Sequence, residues 1–256
     1  MAAALGVVVF RLLGTRTSLG TRFDVSAILN GLALGEAAHS SSNAVLTAIA
    51  VVSFALIGGL MVVWSLLQWR LDMVAALVIT LVGSVATTEY LKPTLHARAD
   101  VPRELAQGFP SGHSTVALAL GLCFMLAAPV RRRTIAAVGA ALYAAGMGVA
   151  LVFNAWHLPS DVGGGFCMAT AWAAGAAQLV NRPLDRGVPA KLVAAALVLV
   201  VVAALGAWHL RPGLSFTVTS HRRLLEAAIG IAITAVACCA AFAYAIADRS
   251  AVATRS

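Results

Sequence analysis

Apolar residues in this chain gather into long runs, and polar residues are confined to short stretches between them. A run of about 20 such residues has the length of a helix that crosses a bilayer. Seven runs predict spanning helices: Ala44–Trp69, Met73–Leu91, His113–Val130, Thr134–Trp156, Val162–Val180, Ala190–Trp208 and Leu224–Ala247. An eighth segment, MAAALGVVVFRLL, opens the chain. It lacks the basic start and cleavage site of a signal peptide, and at about a dozen residues it is short for a full span. It predicts either an oblique crossing completed by the residues that follow or a helix at the interface. The stretch Gly35–Asn43, GEAAHSSSN, predicts a loop on one membrane face. The expected fold is all-α, a polytopic membrane bundle of seven or eight spanning segments around one core. Residues 1–43 would form an N-terminal membrane segment and loop, 44–180 the core, and 181–256 a C-terminal helical pair. No soluble domain, low-complexity linker or internal repeat interrupts this pattern.

Composition agrees. Of 256 residues, 61% are hydrophobic and 11% charged, against about half and about a quarter in soluble domains. The mean hydropathy is +0.91, so lipid is the main solvent. The net charge of +8 comes without a basic groove or interleaved aromatics, which argues against nucleic acid as a partner. Arginine outnumbers lysine sixteen to two and alanine is abundant, the composition of a GC-rich bacterial gene. Cys123, Cys167, Cys238 and Cys239 all fall inside apolar runs without metal-ligand spacing, and read as buried free thiols.

Topology follows from counting crossings. Two predicted spans separate the loop before Ser111 from the loop holding His157, so both lie on the same side of the membrane. The opposite side carries nine basic residues, including Arg131–Arg133, and the histidine side eight. Short basic loops resist translocation, and the RRR turn therefore places the histidine side in the extracytoplasmic compartment.

That side holds two polar sequences at helix entrances, GFPSGHST (Gly108–Thr115) and WHLPSDVG (Trp156–Gly163). Proline suits the first turn of a helix, and Gly112 lets a ligand approach the backbone closely. The open N–H groups and dipole of a helix start favour an anion. His157 and Asp161 lie four apart, so that a carboxylate can hold one imidazole nitrogen while the other attacks. Lys92, Arg98 and Arg103 add positive charge, with a local ion pair to Glu89 as the plainer role of Lys92. Ser111 can cap its helix and also face an anion. Such a constellation suits a phosphoryl group, held by position and charge.

These residues resemble the type-2 phosphatidic acid phosphatase superfamily, integral-membrane lipid phosphate phosphatases with motifs K-x6-R-P, P-S-G-H and S-R-x5-H-x3-D. Pro110-Ser111-Gly112-His113 matches the second motif, and His157, Pro159, Ser160 and Asp161 match the end of the third, 44 residues beyond His113. The resemblance implies that His157 is the nucleophile, Asp161 steadies it, and His113 protonates the leaving oxygen and then activates water. Lys92, Ser111 and the Gly112 amide would hold phosphate oxygens, and the scheme requires no metal or cofactor. The first motif is degenerate, with Ala99 and Asp100 where Arg-Pro is expected, and the Ser-Arg of the third falls on Ala150 and Leu151. Arg98, Arg103 or the loop Arg211–Arg223 would then supply the missing clamp.

The substrate is expected to be a lipid phosphate or prenyl (pyro)phosphate that reaches the site sideways from the membrane. The segments after Val180 are left with two roles, substrate choice or a homo-oligomer contact. Two alternatives stay open: a phosphotransferase using the same intermediate, and a catalytically silent lipid-binding or assembly protein.

Overall fold

A computed structural model describes residues 2–33, 45, 47–95, 108–180 and 219–253, and every regular element among them is a helix. The predicted span Ala190–Trp208, the loop Gly35–Asn43, Arg98 and Arg103 lie outside the described residues. The helices are α1 (Ala2–Arg16), α2 (Ser18–Ala33), α3 (Thr47–Leu67), α4 (Leu71–Leu95), α5 (Gly112–Ala127), α6 (Arg133–Phe153), α7 (Pro159–Ala176) and α8 (Thr219–Ala253). A π-helical turn, Phe54–Gly58, interrupts α3.

Among the described residues, four helices are long and apolar enough to cross a membrane, α3, α4, α6 and the stretch Arg222–Ile246 of α8, and the bent pair α1–α2 makes a fifth if it forms one span. Their outer faces carry large exposed apolar side chains, among them Leu60, Val82, Leu142 and Leu225. In water such faces would drive aggregation; in lipid they are the solvated surface. The chain is an integral membrane protein.

The sequence pattern predicts seven or eight spans, of which Ala190–Trp208 lies outside the described residues, and two described helices are apolar without meeting the length or composition of a lipid-facing span. Helix α5 is only 16 residues long, while α7 has its apolar run broken by Ser160, Asp161 and three glycines. Both are wrapped by protein, with 11 of 16 residues buried in α5 and 14 of 18 in α7. A helix buried all round is solvated by neighbouring helices instead of lipid. Helix α7 packs against α1, α4, α5 and α8, which makes it the axis of the bundle.

The N-terminal segment forms two helices that meet at 84°. Helix α1 runs antiparallel along α7, with Gly6 at Cys167 and Phe10 at Gly163. Thr17 restarts the chain as α2, its hydroxyl accepting the Gly20 amide at 3.1 Å, the bond of an N-cap. Helix α2 then lies across the end of the bundle. Asp24 reaches Ser160, and Gly31 abuts the backbone of Val152 and Phe153.

Three consecutive glycines let α7 serve as axis. A methyl group at Gly163 would strike the Phe10 ring and one at Gly164 the Phe109 ring. At Gly165 it would meet the Ser111 carbonyl at 2.6 Å and Thr115 Oγ1 at 2.9 Å. Overpacking of this kind costs about 1–3 kcal/mol. Gly165→Ala should therefore lower the thermal unfolding temperature in detergent. Gly139→Ala, which meets nothing within 4 Å, should leave it unchanged or raise it, since helical glycine costs about 0.5–1 kcal/mol relative to alanine. Equal behaviour of the two variants would contradict this packing.

Candidate active site

Two turns build the site. The first closes α6. Ala155 adopts φ 55°, the Trp156 amide donates to the Leu151 carbonyl at 2.8 Å, and the Ala155 amide to Val152 at 3.0 Å. This is a Schellman C-cap, with alanine in the left-handed position that glycine usually fills. Leu158 then caps α7, and Pro159 occupies its first turn, where a missing N–H costs nothing. His157 is thus held on a tight link between two helices.

The second turn opens α5. Ser111 is its N-cap and accepts the Ser114 amide at 3.4 Å, which places Pro110 just before the cap instead of in the first turn. The Ser111 amide donates to the Asp161 carbonyl at 3.0 Å. Ser114 Oγ donates to Val162 O at 3.3 Å. The two motif-bearing helix starts are therefore bonded to each other.

This bonding brings the histidines together. The ring centroids of His113 and His157 lie 6.3 Å apart, and Trp156 packs on His113 at 4.7 Å. His113 is half-buried and His157 buried. His157 Nδ1 stands 3.9 Å from Asp161 Oδ2 and makes no hydrogen bond. The orienting bond expected from Asp161 is thus not made; its carboxylate instead accepts the Leu158 amide at 3.3 Å.

Lys92, near the end of α4, pairs with Glu89 at 2.5 Å. Both side chains lie over Gly112: a methyl there would meet Glu89 Oε1 at 3.0 Å and Lys92 Nζ at 3.2 Å. The ion pair and the motif lysine are therefore the same group in the same place. A cavity of about 310 Å³ opens here between α3, α4 and α5. Its polar end is Glu89, Lys92, Gly112 and His113; its walls are apolar and include Val51, Phe54, Ala55 and Val116. His157 is not among the lining residues.

The two helix starts differ as anion sites. In α7 the first-turn amides are satisfied within the protein: Ser160 donates to Asp24 Oδ1 at 3.1 Å, while Asp161 and Val162 donate to the Leu158 carbonyl. The dipole there already faces two carboxylates. In α5, no described group accepts from the Gly112 or His113 amide. Of the two expected helix-start anion sites, only α5 presents open amides. Ser111, fully buried, acts in its cap.

Arg222 and Arg223 both bond Glu226, at 2.8 and 3.0 Å. Arg223 lines a different cavity, with Asp24, Pro159 and Ser160, and the loop from Arg211 lies largely outside the described residues. In the RRR turn, Arg131 and Arg132 are exposed, whereas Arg133 is buried and donates to Ala128 O at 3.4 Å, across the α5 end. Among the described residues, no group of three or more His, Cys, Asp or Glu side chains is placed to hold a metal ion.

Two features of the site are absent from the motif reading. One is the Gly163–Gly165 triplet, whose signal is three adjacent glycines in an otherwise helical apolar run. The other is Asp24, a carboxylate within a membrane segment, a placement that marks function by default. Arg11 of α1 also touches the motif loop, its guanidinium 5.7 Å from the Phe109 ring centroid.

The family model described as the PAP2 superfamily matches residues 92–185, a span from Lys92 through both motif histidines. The motif-bearing part of this chain is thus similar to the PAP2 superfamily. Comparison with curated proteins and with solved structures gave no match.

The left-handed turn at Ala155 gives a test of how the site is built. A non-glycine residue there costs about 1–2 kcal/mol, while the buried methyl returns about 0.8 kcal/mol. Ala155→Gly should therefore unfold within about 1 kcal/mol of wild type. Ala155→Val, β-branched in the same conformation, should be destabilised by at least about 1 kcal/mol. Thermal unfolding of the three proteins decides; a more stable valine variant would contradict the turn.

Proposed function

We propose that this protein is a phosphatase that hydrolyses a lipid phosphate or prenyl (pyro)phosphate at the extracytoplasmic face of a bacterial cytoplasmic membrane. The observation that carries this reading is the approach of His113 and His157 beside Lys92 and the open amides of Gly112 and His113. In-line attack needs reacting atoms about 3–3.5 Å apart. Rings whose centroids lie 6.3 Å apart can serve one phosphoryl group, with His157 facing phosphorus and His113 facing the leaving oxygen. The PAP2-superfamily match supports phosphatase chemistry as a class.

In the first step, Nε2 of His157 attacks phosphorus and the bond from phosphorus to the lipid oxygen breaks. His113 gives its proton to the departing oxygen. The lipid leaves as an alcohol, or as a monophosphate if it entered as a diphosphate. His113, now neutral, removes a proton from water; the oxygen attacks phosphorus, the P–N bond breaks, and inorganic phosphate leaves. Lys92 and the α5 amides hold the equatorial oxygens where charge develops, the kind of stabilisation that dominates phosphoryl transfer. Asp161 takes up the Nδ1 proton of His157 as a hydrogen bond when the site tightens around substrate, which unliganded geometry commonly leaves long.

The apolar cavity beside His113 suits the lipid chain. Its volume of about 310 Å³ is at the small end for ligand sites, so it receives the proximal part of a chain whose remainder stays in the bilayer. The π-turn of α3 supplies Phe54 and Ala55 to its wall; such turns recur at functional sites.

Purified protein in detergent with a chelator present should release phosphate from a panel of phosphatidic acid, phosphatidylglycerol phosphate and polyprenyl (pyro)phosphates. His157→Ala should lower the rate by at least about a thousandfold, and wild type quenched during turnover should carry phosphate on His157. Lys92→Met should lower kcat/KM about 10- to 100-fold, the loss of a charge-assisted contact of about 1.5–3 kcal/mol. Activity that survives His157→Ala contradicts the mechanism. If an added alcohol receives the phosphoryl group in preference to water, the protein is a transferase.

A second prediction concerns the chain cavity. Ala55→Trp should raise KM for long-chain substrates at least about tenfold and leave a short water-soluble phosphate ester unaffected, as expected for a blocked apolar subsite. Equal effects on both substrates would place the lipid chain elsewhere.

A further inference from the structure

Asp24 is the first acidic residue of the chain and lies on α2, outside the matched region 92–185. Asp24 is 2% exposed, although most residues of the α1–α2 pair are intermediate or exposed. A buried carboxylate is costly unless its oxygens are bonded. Here Oδ1 accepts the Ser160 amide at 3.1 Å, and Oδ2 accepts the Ser160 hydroxyl. The positive end of α7 adds to both bonds. Helix α1 closes the same corner, since a methyl at Gly14 would meet Ser160 Oγ at 2.6 Å and Asp24 Oδ2 at 2.9 Å.

The same helix grips the turn a second time. Ile28, one turn beyond Asp24, packs with Ala155 and Leu158 in a small buried cluster of its own. Helix α2 thus holds residues 155, 158 and 160, and His157 lies between them. The imidazole has no hydrogen bond from Nδ1 to fix it. Its direction is set by the backbone of the turn, which α2 clamps from outside the bundle.

We propose that Asp24 is a positioning residue for His157, acting through the Ser160 amide and hydroxyl to hold the start of α7 in register with the start of α5. It touches neither phosphorus nor leaving group. The proposal rests on the reading of His157 as nucleophile, and it places a determinant of turnover in the N-terminal segment. A small misplacement of a reacting group can cost about a hundredfold in rate. Asp24→Ala should therefore lower kcat at least about tenfold, with KM changed less than about twofold, because Lys92 and the α5 amides are untouched. Asp24→Asn keeps an acceptor for the Ser160 amide and should restore most of the lost kcat. Ser160→Ala removes one of the two bonds and should fall between.

Hydrogen exchange of the amides from 158 to 163 supplies a readout that needs no turnover. These amides should exchange at least about tenfold faster in Asp24→Ala than in wild type, with α6 and α8 unchanged. If Asp24→Ala does not fold, Asp24→Asn and Ser160→Ala carry the same comparison. Wild-type kcat in Asp24→Ala overturns the proposal. So does equal loss in the alanine and asparagine variants with wild-type exchange, which would indicate a role for the charge itself. Should the wild-type protein release no phosphate from any lipid, the phosphatase reading falls; unchanged exchange would then overturn the clamp as well, and accelerated exchange would support it.

Discussion

A single backbone hydrogen bond, from the Ser111 amide to the Asp161 carbonyl at 3.0 Å, joins the two halves of the site. Ser111 is fully buried, and a buried unpaired amide is costly, so this bond is hard to give up. It sets the start of α5 against the start of α7, and everything that points from those starts follows. The Gly163–Gly165 triplet exists to allow that approach. Side chains there would push α5, the motif loop and α1 away from the axis helix.

The two joined helix starts then divide the electrostatic work. The α7 start is saturated by protein carboxylates, Asp161 from within and Asp24 from α2. The α5 start keeps the Gly112 and His113 amides open and has Lys92 above it. On the proposed reading, a phosphate is drawn to the α5 side and met by His157 from the other. Lys92 is paired with Glu89, so anion binding there would exchange one carboxylate for a phosphate, with a net gain smaller than the bare charge of the lysine suggests.

Much of this was legible in the sequence, for reasons that differ by element. Helices α3, α4, α6 and α8 face lipid, so their apolar runs and lengths report them directly. The compartment shared by His113 and His157 followed from two crossings between them, and the coordinates place the rings within reach of one ligand. What was misread depends on contacts distant in sequence. The bend between α1 and α2 is marked only by Thr17, whose capping role needs Gly20 beside it. The runs predicted for α5 and α7 match their helices to within a few residues at each end. The carboxylate pairing that closes the α7 start to anions was hidden because Asp24 is 136 residues from Ser160, and no local pattern links them. Arg98 and Arg103, the arginines suggested to replace the missing clamp, lie outside the described residues.

The central claim is that His113 and His157 face one phosphorus from opposite sides. An experimental structure with orthovanadate, which takes the five-coordinate geometry of phosphoryl transfer, tests it most directly. The account predicts vanadium bonded to Nε2 of His157, with His113 within hydrogen-bond distance of the opposite apical oxygen and Lys92 turned from Glu89 to an equatorial one. Vanadate bound elsewhere, or bound here without contact to both imidazoles, would contradict it.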